Sequence, residues 1–302
     1  LLDISTKISN LNFRNPTLLA SGIMDEDSGS MIRIFNSGAG GVVTKSVGID
    51  TRSGYKNPSL VELEFGILNA MGLPNPGIDL FEKEINKVIK KKIPIICSIF
   101  GSNISEFVEL AKRVEDVGAS AIELNMSCPH AKGYGLEIGS DSSLIYEITS
   151  NVKNNVRIPV FVKISSNVTN ILEIANKIAD AKADGIVAIN SVKAMKIDIN
   201  LKKPVLSNKI GGYSGKAIKP IGIKCVYEIY DSVEIPIIGV GGIVDGNDIV
   251  EYLMAGATVV QIGSGVYYRG IDVFEKSCNE LKIWMNENGY KNITELIGVA
   301  HE

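Results

Sequence analysis

Histidine is nearly missing from this chain: among 302 residues only His130 and His301 carry an imidazole, the second expected at a frayed end. A Ser-His-Asp triad or a His-rich metal site therefore has almost no material. Cysteine is sparse as well. Cys97, Cys128, Cys225 and Cys278 stand far apart with no C-x-x-C pair, so no zinc knuckle, iron–sulfur cluster or disulfide framework is encoded. No apolar run approaches the roughly 18 residues that a membrane span needs. Neither sign of charge is in excess: 31 basic and 34 acidic residues give a formal net charge of -3 and are well mixed, which leaves no electrostatic footprint for nucleic acid. The segment Leu1-Leu2-Asp3-Ile4-Ser5 lacks a basic region followed by an apolar core, so no secretory signal is read and a cytoplasmic location is expected. What remains for chemistry is Cys, Lys, Asn and a bound cofactor, acting on a small molecule.

The rest of the composition is ordinary, with 45% hydrophobic and 22% charged residues, enough to bury a large core. The length suits one α/β barrel or two smaller domains, and a single domain over residues 1–302 is expected. Residues 3–16, with Ile4, Ile8, Leu11 and Phe13 among polar neighbours, predict a hairpin that plugs one end of the fold. Short apolar runs then recur between amphipathic stretches. Thr17 to Gly22, Gly41 to Ser46, Pro94 to Ser98, Ala121 to Asn125, Pro159 to Lys163, Gly185 to Ser191, Pro236 to Gly242 and Thr258 to Gly265 read as strands. Helices are expected between them, among them 79–92, Ser105–Val117, 141–155 and a closing helix at 270–288. Residues 50–78, rich in Gly, Asn and Pro, and 192–215, ending in the glycine-rich Gly211-Gly212-Tyr213-Ser214-Gly215, are read as long loops, the second an insertion after strand six lying against a ligand. Eight strand-and-helix units in alternation predict an α/β fold, a (β/α)8 TIM barrel. A doubly wound open sheet is the alternative; against it, no G-x-G-x-x-G follows the first strand.

Barrel chemistry sits at the carboxyl ends of the strands. Those ends offer Ser21, Lys45, Ser98, Asn125, Cys128, Lys163, Asn190 and Ser191, and backbone amides at Gly241-Gly242 and Gly263-Ser264. The glycines after strands seven and eight are where a barrel commonly binds phosphate. This set suits a planar, amide-rich heterocycle held by its phosphate, with a second planar molecule beside it. Cys128 reads in two ways: a packing cysteine, as most free cysteines are, or a thiol in the polar turn Asn125 to Pro129 where a thiolate can be formed and used. Single strand-end Ser, Asn and Lys residues can equally be solvated rim groups.

The motifs Ala20-Ser21-Gly22, Val43-Thr44-Lys45, Leu68-Asn69-Ala70-Met71-Gly72-Leu73 with Asn75-Pro76-Gly77, Glu123-Leu124-Asn125-Met126-Ser127-Cys128-Pro129, Ser214-Gly215, and Gly239 to Gly242 occur in one order. In that order the chain resembles the class 1 dihydroorotate dehydrogenases along nearly its whole length. The resemblance implies an FMN enzyme of pyrimidine synthesis that oxidises dihydroorotate to orotate. Cys128 would be the base that removes the C5 proton. Lys45, Asn69, Ala70, Met71, Gly72, Leu73, Asn125, Asn190 and Ser191 would hold substrate. Ser21, Lys45, Ser46, Ser98, Asn125, Lys163, Ile189, Gly215, Gly241, Gly242, Gly263 and Ser264 would bind FMN. No metal is implied.

Arg52 to Pro58 and the Leu-Asn-Ala-Met-Gly-Leu run resemble the NAD-linked subclass, which implies a homodimeric core and a second subunit carrying FAD and an iron–sulfur cluster. A fumarate-using relative would need no such partner. One position departs: the family commonly has Asn after Ser-Cys-Pro, and this chain has His130. An imidazole donates one hydrogen bond but cannot offer an amide's donor and acceptor together; a surface histidine is the other reading. Competing functions are a flavin barrel acting on another pyrimidine, such as a tRNA dihydrouridine synthase, a Schiff-base aldolase using a strand-end lysine, and a non-catalytic phosphate-ligand binder. The tRNA reading calls for a basic surface, and the aldolase has no use for Cys128.

Overall fold

The computed structural model describes residues 2–126 and 136–301. Cys128 and His130 lie outside the described residues. The chain opens with the antiparallel hairpin β1 (Thr6–Ile8) and β2 (Leu11–Phe13). There follow β3 (Thr17–Leu19), α1 (Ser28–Asn36), β4 (Gly41–Val43), β5 (Leu60–Leu63), β6 (Gly66–Asn69), α2 (Ile78–Ile89), β7 (Ile95–Ile99) and α3 (Ile104–Val117). Next come β8 (Ala121–Asn125), α4 (Leu136–Gly139), α5 (Ser142–Lys153), β9 (Val160–Ile164), α6 (Ile171–Asp180) and β10 (Gly185–Ala188). An arm of β11 (Val192–Ala194), β12 (Ile197–Asp198), β13 (Lys203–Pro204) and β14 (Gly211–Ser214) leads to α7 (Lys219–Ser232). The chain then runs through β15 (Ile237–Val240), α8 (Gly246–Met254), β16 (Ala257–Ile262), α9 (Ser264–Arg269) and α10 (Val273–Glu287).

Strands β3, β4, β7, β8, β9, β10, β15 and β16 pair in that order, all parallel, and β16 returns to β3 to close the barrel. The predicted TIM barrel is therefore present. Its central strands are buried on both faces, as β7, β8 and β9 are at every residue, because helices cover the outside and side chains fill the inside.

Period-two alternation sorts these residues into two cores. Ile122, Leu124, Val160, Val162, Val260 and Ile262 face outward and pack under the helices. Leu18, Val43, Ile96, Ala121, Phe161, Val187, Ile238 and Val259 meet inside the barrel. Ile8 and Phe13 of the hairpin join that inner cluster, so the hairpin closes one end as a plug. The helices present the complementary stripe. In α3 the buried residues Phe107, Leu110, Ala111 and Val114 recur at helical spacing, Asn103 caps the start by accepting from the Glu106 amide, and Gly118, at φ 97°, ends it in the left-handed region.

Two expectations fail. Residues 50–78 and 192–215 are not simply loops: they contribute β5, β6, β11 and β14 to a four-stranded antiparallel sheet in the order β11-β14-β6-β5. Glycine is there for close packing. A Cβ on Gly66 would stand 2.2 Å from the Ser214 carbonyl oxygen, and one on Gly211 would stand 2.7 Å from that of Asn69. Nor is His301 at a frayed end: its ring stacks on Tyr227 at 3.8 Å between centroids and lies 2.7 Å from Asp231.

Candidate active site

A cavity of about 340 Å³ opens at the carboxyl ends of the barrel strands, within the size range of small-molecule sites. Almost every strand brings a residue to it. Ser21 follows β3, Lys45 and Ser46 follow β4, Asn125 ends β8, and Lys163 lies in β9. Ile189, Asn190 and Ser191 follow β10, Gly241 and Gly242 follow β15, and Gly263 and Ser264 follow β16; all line the cavity. From above, the four-stranded sheet lowers Asn69, Met71, Gly72 and Leu73 onto the same space.

The loop beyond β6 holds its shape through Asn75. This buried side chain accepts from the amides of Gly77 at 2.9 Å and Gly48 at 3.3 Å and donates to the Leu73 carbonyl at 3.0 Å. Gly72 and Leu73 sit at φ 77° and 56°. A Cβ on Gly72 would meet the Tyr55 ring at 2.8 Å.

Among the described residues, three of those expected at the site do not line the cavity. Ala70 is buried, its amide donating to the Ser59 carbonyl at 2.8 Å. Ser98 is buried below the floor and touches the lining through a neighbour: its hydroxyl lies 2.8 Å from Ser46 Oγ, which accepts from Asn125 Nδ2 at 2.9 Å and lies 3.3 Å from Ser21 Oγ. Gly215 is a packing glycine at φ 110°, where a Cβ would stand 2.6 Å from the Tyr268 hydroxyl; the adjacent Ser214 lines the cavity instead.

Charge is distributed unevenly. Lys45 pairs with the exposed Glu26 at 2.8 Å. Beside that pair, Asp25 is fully buried, accepting from the Gly22 amide at 2.5 Å through Oδ2. Its backbone carbonyl accepts from the Lys45 amide at 3.3 Å. Desolvation pushes the Asp25 carboxyl up to about 6, against the opposing pull of the Gly22 amide and Lys45. At the floor, Lys163 lies 3.6 Å from Glu123 and 3.4 Å from Gln261, and Gln261 Nε2 donates to Glu123 at 2.7 Å.

Sequence reasoning overlooked Asp25, Glu123, Gln261 and Tyr252. For Glu123 and Gln261 the available signal was a single polar residue inside an apolar strand, two positions from an inward neighbour. Tyr252 of α8 had none: its hydroxyl donates to the Gly241 carbonyl at 2.8 Å, and its ring fills the space that a side chain on Gly239 would need.

A closed parallel barrel with a polar ligand cavity at its strand ends defines a (β/α)8-barrel enzyme. Comparison with known proteins narrows the class. The family model for dihydroorotate dehydrogenase matches residues 3–285. A Methanocaldococcus jannaschii protein, "Dihydroorotate dehydrogenase B (NAD(+)), catalytic subunit", is 52% identical over 99% of this chain and 98% of its own length. Proteins of the same name from Thermoplasma volcanium and Pyrococcus abyssi are 49% and 47% identical, with 98–99% of each chain covered. The chain belongs to the dihydroorotate dehydrogenase family. It is an oxidoreductase, and its reaction is the oxidation of dihydroorotate in pyrimidine biosynthesis. Among the described residues no helix is long and apolar enough to cross a membrane.

Proposed function

We propose that the cavity takes FMN and dihydroorotate together and that Cys128 is the base. The observation that carries this is the gathering of Lys45, Asn69, Asn125, Lys163, Asn190 and the two glycine turns in one cavity. The donor set fits the cofactor. The bare amides of Gly241, Gly242, Gly263 and Ser264 suit a phosphate. A Cβ on Gly242 would crowd the Gly215 carbonyl at 2.8 Å, so that backbone has to stay bare. Lys163 supplies a cation at the floor, suited to a flavin ring that becomes more negative on reduction.

When bound, FMN supplies the hydride acceptor. The chain's own residues do the rest. Lys45 attracts the substrate carboxylate, exchanging its exposed partner Glu26 for it. The amides of Asn69, Asn125 and Asn190 orient the planar ring, and the loop through Met71, Gly72 and Leu73 covers it and excludes water. Cys128 lies three residues beyond Asn125, outside the described residues; its assignment rests on the resemblance and on the chemistry of a thiol, whose reference value of about 8.5 is reachable near neutral pH. Electrons then pass to a partner subunit carrying FAD and an iron–sulfur cluster. The relatives' name of catalytic subunit supports this, as do the apolar Ile197, Ile199 and Leu201 exposed on the β12–β13 arm, since exposed apolar patches mark association surfaces.

Absorption spectroscopy tests the site. The full chain mixed with FMN and desalted should remain yellow, and titration with orotate should perturb the flavin bands. A colourless protein that takes up no FMN contradicts the reading.

A further inference from the structure

At the cavity floor, Lys163 meets two further buried polar side chains, Glu123 and Gln261, each from a different strand, for which the reaction above gives no reason. Glu123 is fully buried, Gln261 is 1% exposed and Lys163 is 5% exposed. Gln261 Nε2 donates to Glu123 Oε2 at 2.7 Å, while Lys163 Nζ stands 3.6 Å from Glu123 Oε1 and 3.4 Å from Gln261 Oε1. Glu123 Oε1 has no hydrogen-bond partner among the described residues. Below this layer the barrel interior is apolar, with Ile96, Ala121, Phe161 and Val259.

A carboxylate in such a place costs several kcal/mol of desolvation, and ion pairs buried this deeply are often replaceable by hydrophobic residues without loss of stability. Stability is therefore a poor reason for Glu123. Among the described residues its one ion-pair partner is Lys163, and Lys163 alone of the three lines the cavity.

We infer that Glu123, fixed by Gln261, is a positioning residue for Lys163: it holds the ammonium at the cavity floor and balances part of the positive charge that faces the bound flavin. This rests on the reading that the cavity takes FMN. Its sign follows from electrostatics. An ammonium favours the electron-rich reduced flavin, and a carboxylate behind it weakens that preference. Removing the carboxylate charge without changing shape leaves the ammonium uncompensated, so the preference for the reduced form rises.

The test compares midpoint potentials, by equilibration with a reference dye, of the FMN-reconstituted full chain and of Glu123→Gln, Glu123→Asp and Lys163→Met. Glu123→Gln should favour reduced over oxidised FMN by about tenfold more than the parent, an upward shift of about 30 mV for a two-electron couple. Glu123→Asp, which draws the carboxylate back, should rise by less, and Lys163→Met should fall. A glutamate with only a structural role would change the melting temperature and leave the potential alone. A Glu123→Gln potential equal to or below the parent's overturns the inference. Should that variant fail to fold, Glu123→Asp decides by the same criterion. A parent chain that binds no FMN defeats the underlying reading instead.

Discussion

Three thiols in this molecule are held inert by burial. Cys97 is desolvated and pushed far above the ordinary thiol range, and Cys225 and Cys278 are pushed up to about 11. None of them offers a thiolate near neutral pH, so the thiol base proposed above has only Cys128 to rest on. Iodoacetamide applied to the native chain should alkylate Cys128 and spare the other three until denaturant is added, as read by peptide mass spectrometry. Protection of Cys128 equal to that of Cys97 would make it a packing cysteine.

Asp25 predicts a pH effect of definite sign. Unfolded, its carboxyl loses its proton near 3.8; folded, it keeps it until about 6. Between those values the unfolded chain binds fewer protons, so stability falls as pH rises through the window and levels off above it. The full difference is about two pH units, or about 3 kcal/mol. Asp25→Asn keeps an oxygen for the Gly22 amide and has no charge to desolvate. Urea unfolding at pH 4.5 and 7.5 should show the variant gaining on the parent at the higher pH; a difference independent of pH contradicts this account.

Among the elements, the four-stranded sheet decides where Asn69 and the Met71–Leu73 loop stand over the cavity. Gly66→Val should clash with the Ser214 carbonyl, which a Cβ would approach to 2.2 Å. It should break the β6–β14 pairing and cost about 1–3 kcal/mol. Because β6 carries Asn69, orotate should bind more weakly while FMN is retained; unchanged orotate affinity would detach the sheet from the site. The barrel strands and the plug were legible in the sequence because short apolar runs and alternating residues leave direct traces. The sheet was not: its glycines look the same whether they serve a loop or let two strands approach. The inward layer of Glu123 and Gln261 was hidden for a related reason. A lone polar residue in an apolar strand shows its meaning only when its neighbours inside the barrel are known, as Lys163 on the adjoining strand and Gln261 across the barrel now are.

At the scale of the molecule, oxidation of dihydroorotate is one half of a redox reaction, and in the proposed function the other half falls to a partner subunit. The strand-end residues named from sequence mostly meet in one cavity, since a barrel delivers every strand end to the same mouth; Ala70 and Ser98 stand behind it because side-chain direction is not written in the motif, and Gly215 because its bare backbone packs against Tyr268. No C-x-x-C pair and no group of three metal-binding side chains occurs among the described residues. The purified chain with FMN and dihydroorotate should therefore reduce an artificial dye but not NAD. Efficient NAD reduction by the chain alone would contradict the need for a partner subunit.

Stopped-flow bleaching of bound FMN by dihydroorotate, without oxygen, tests the central claim most directly. The parent chain should bleach in a single turnover. Cys128→Ala should stay yellow and folded and bind orotate almost as tightly, yet bleach roughly 10²- to 10⁴-fold more slowly, the usual contribution of a positioned general base. Bleaching of Cys128→Ala at the parental rate would contradict the account and move the search for the base elsewhere, with His130 next in line.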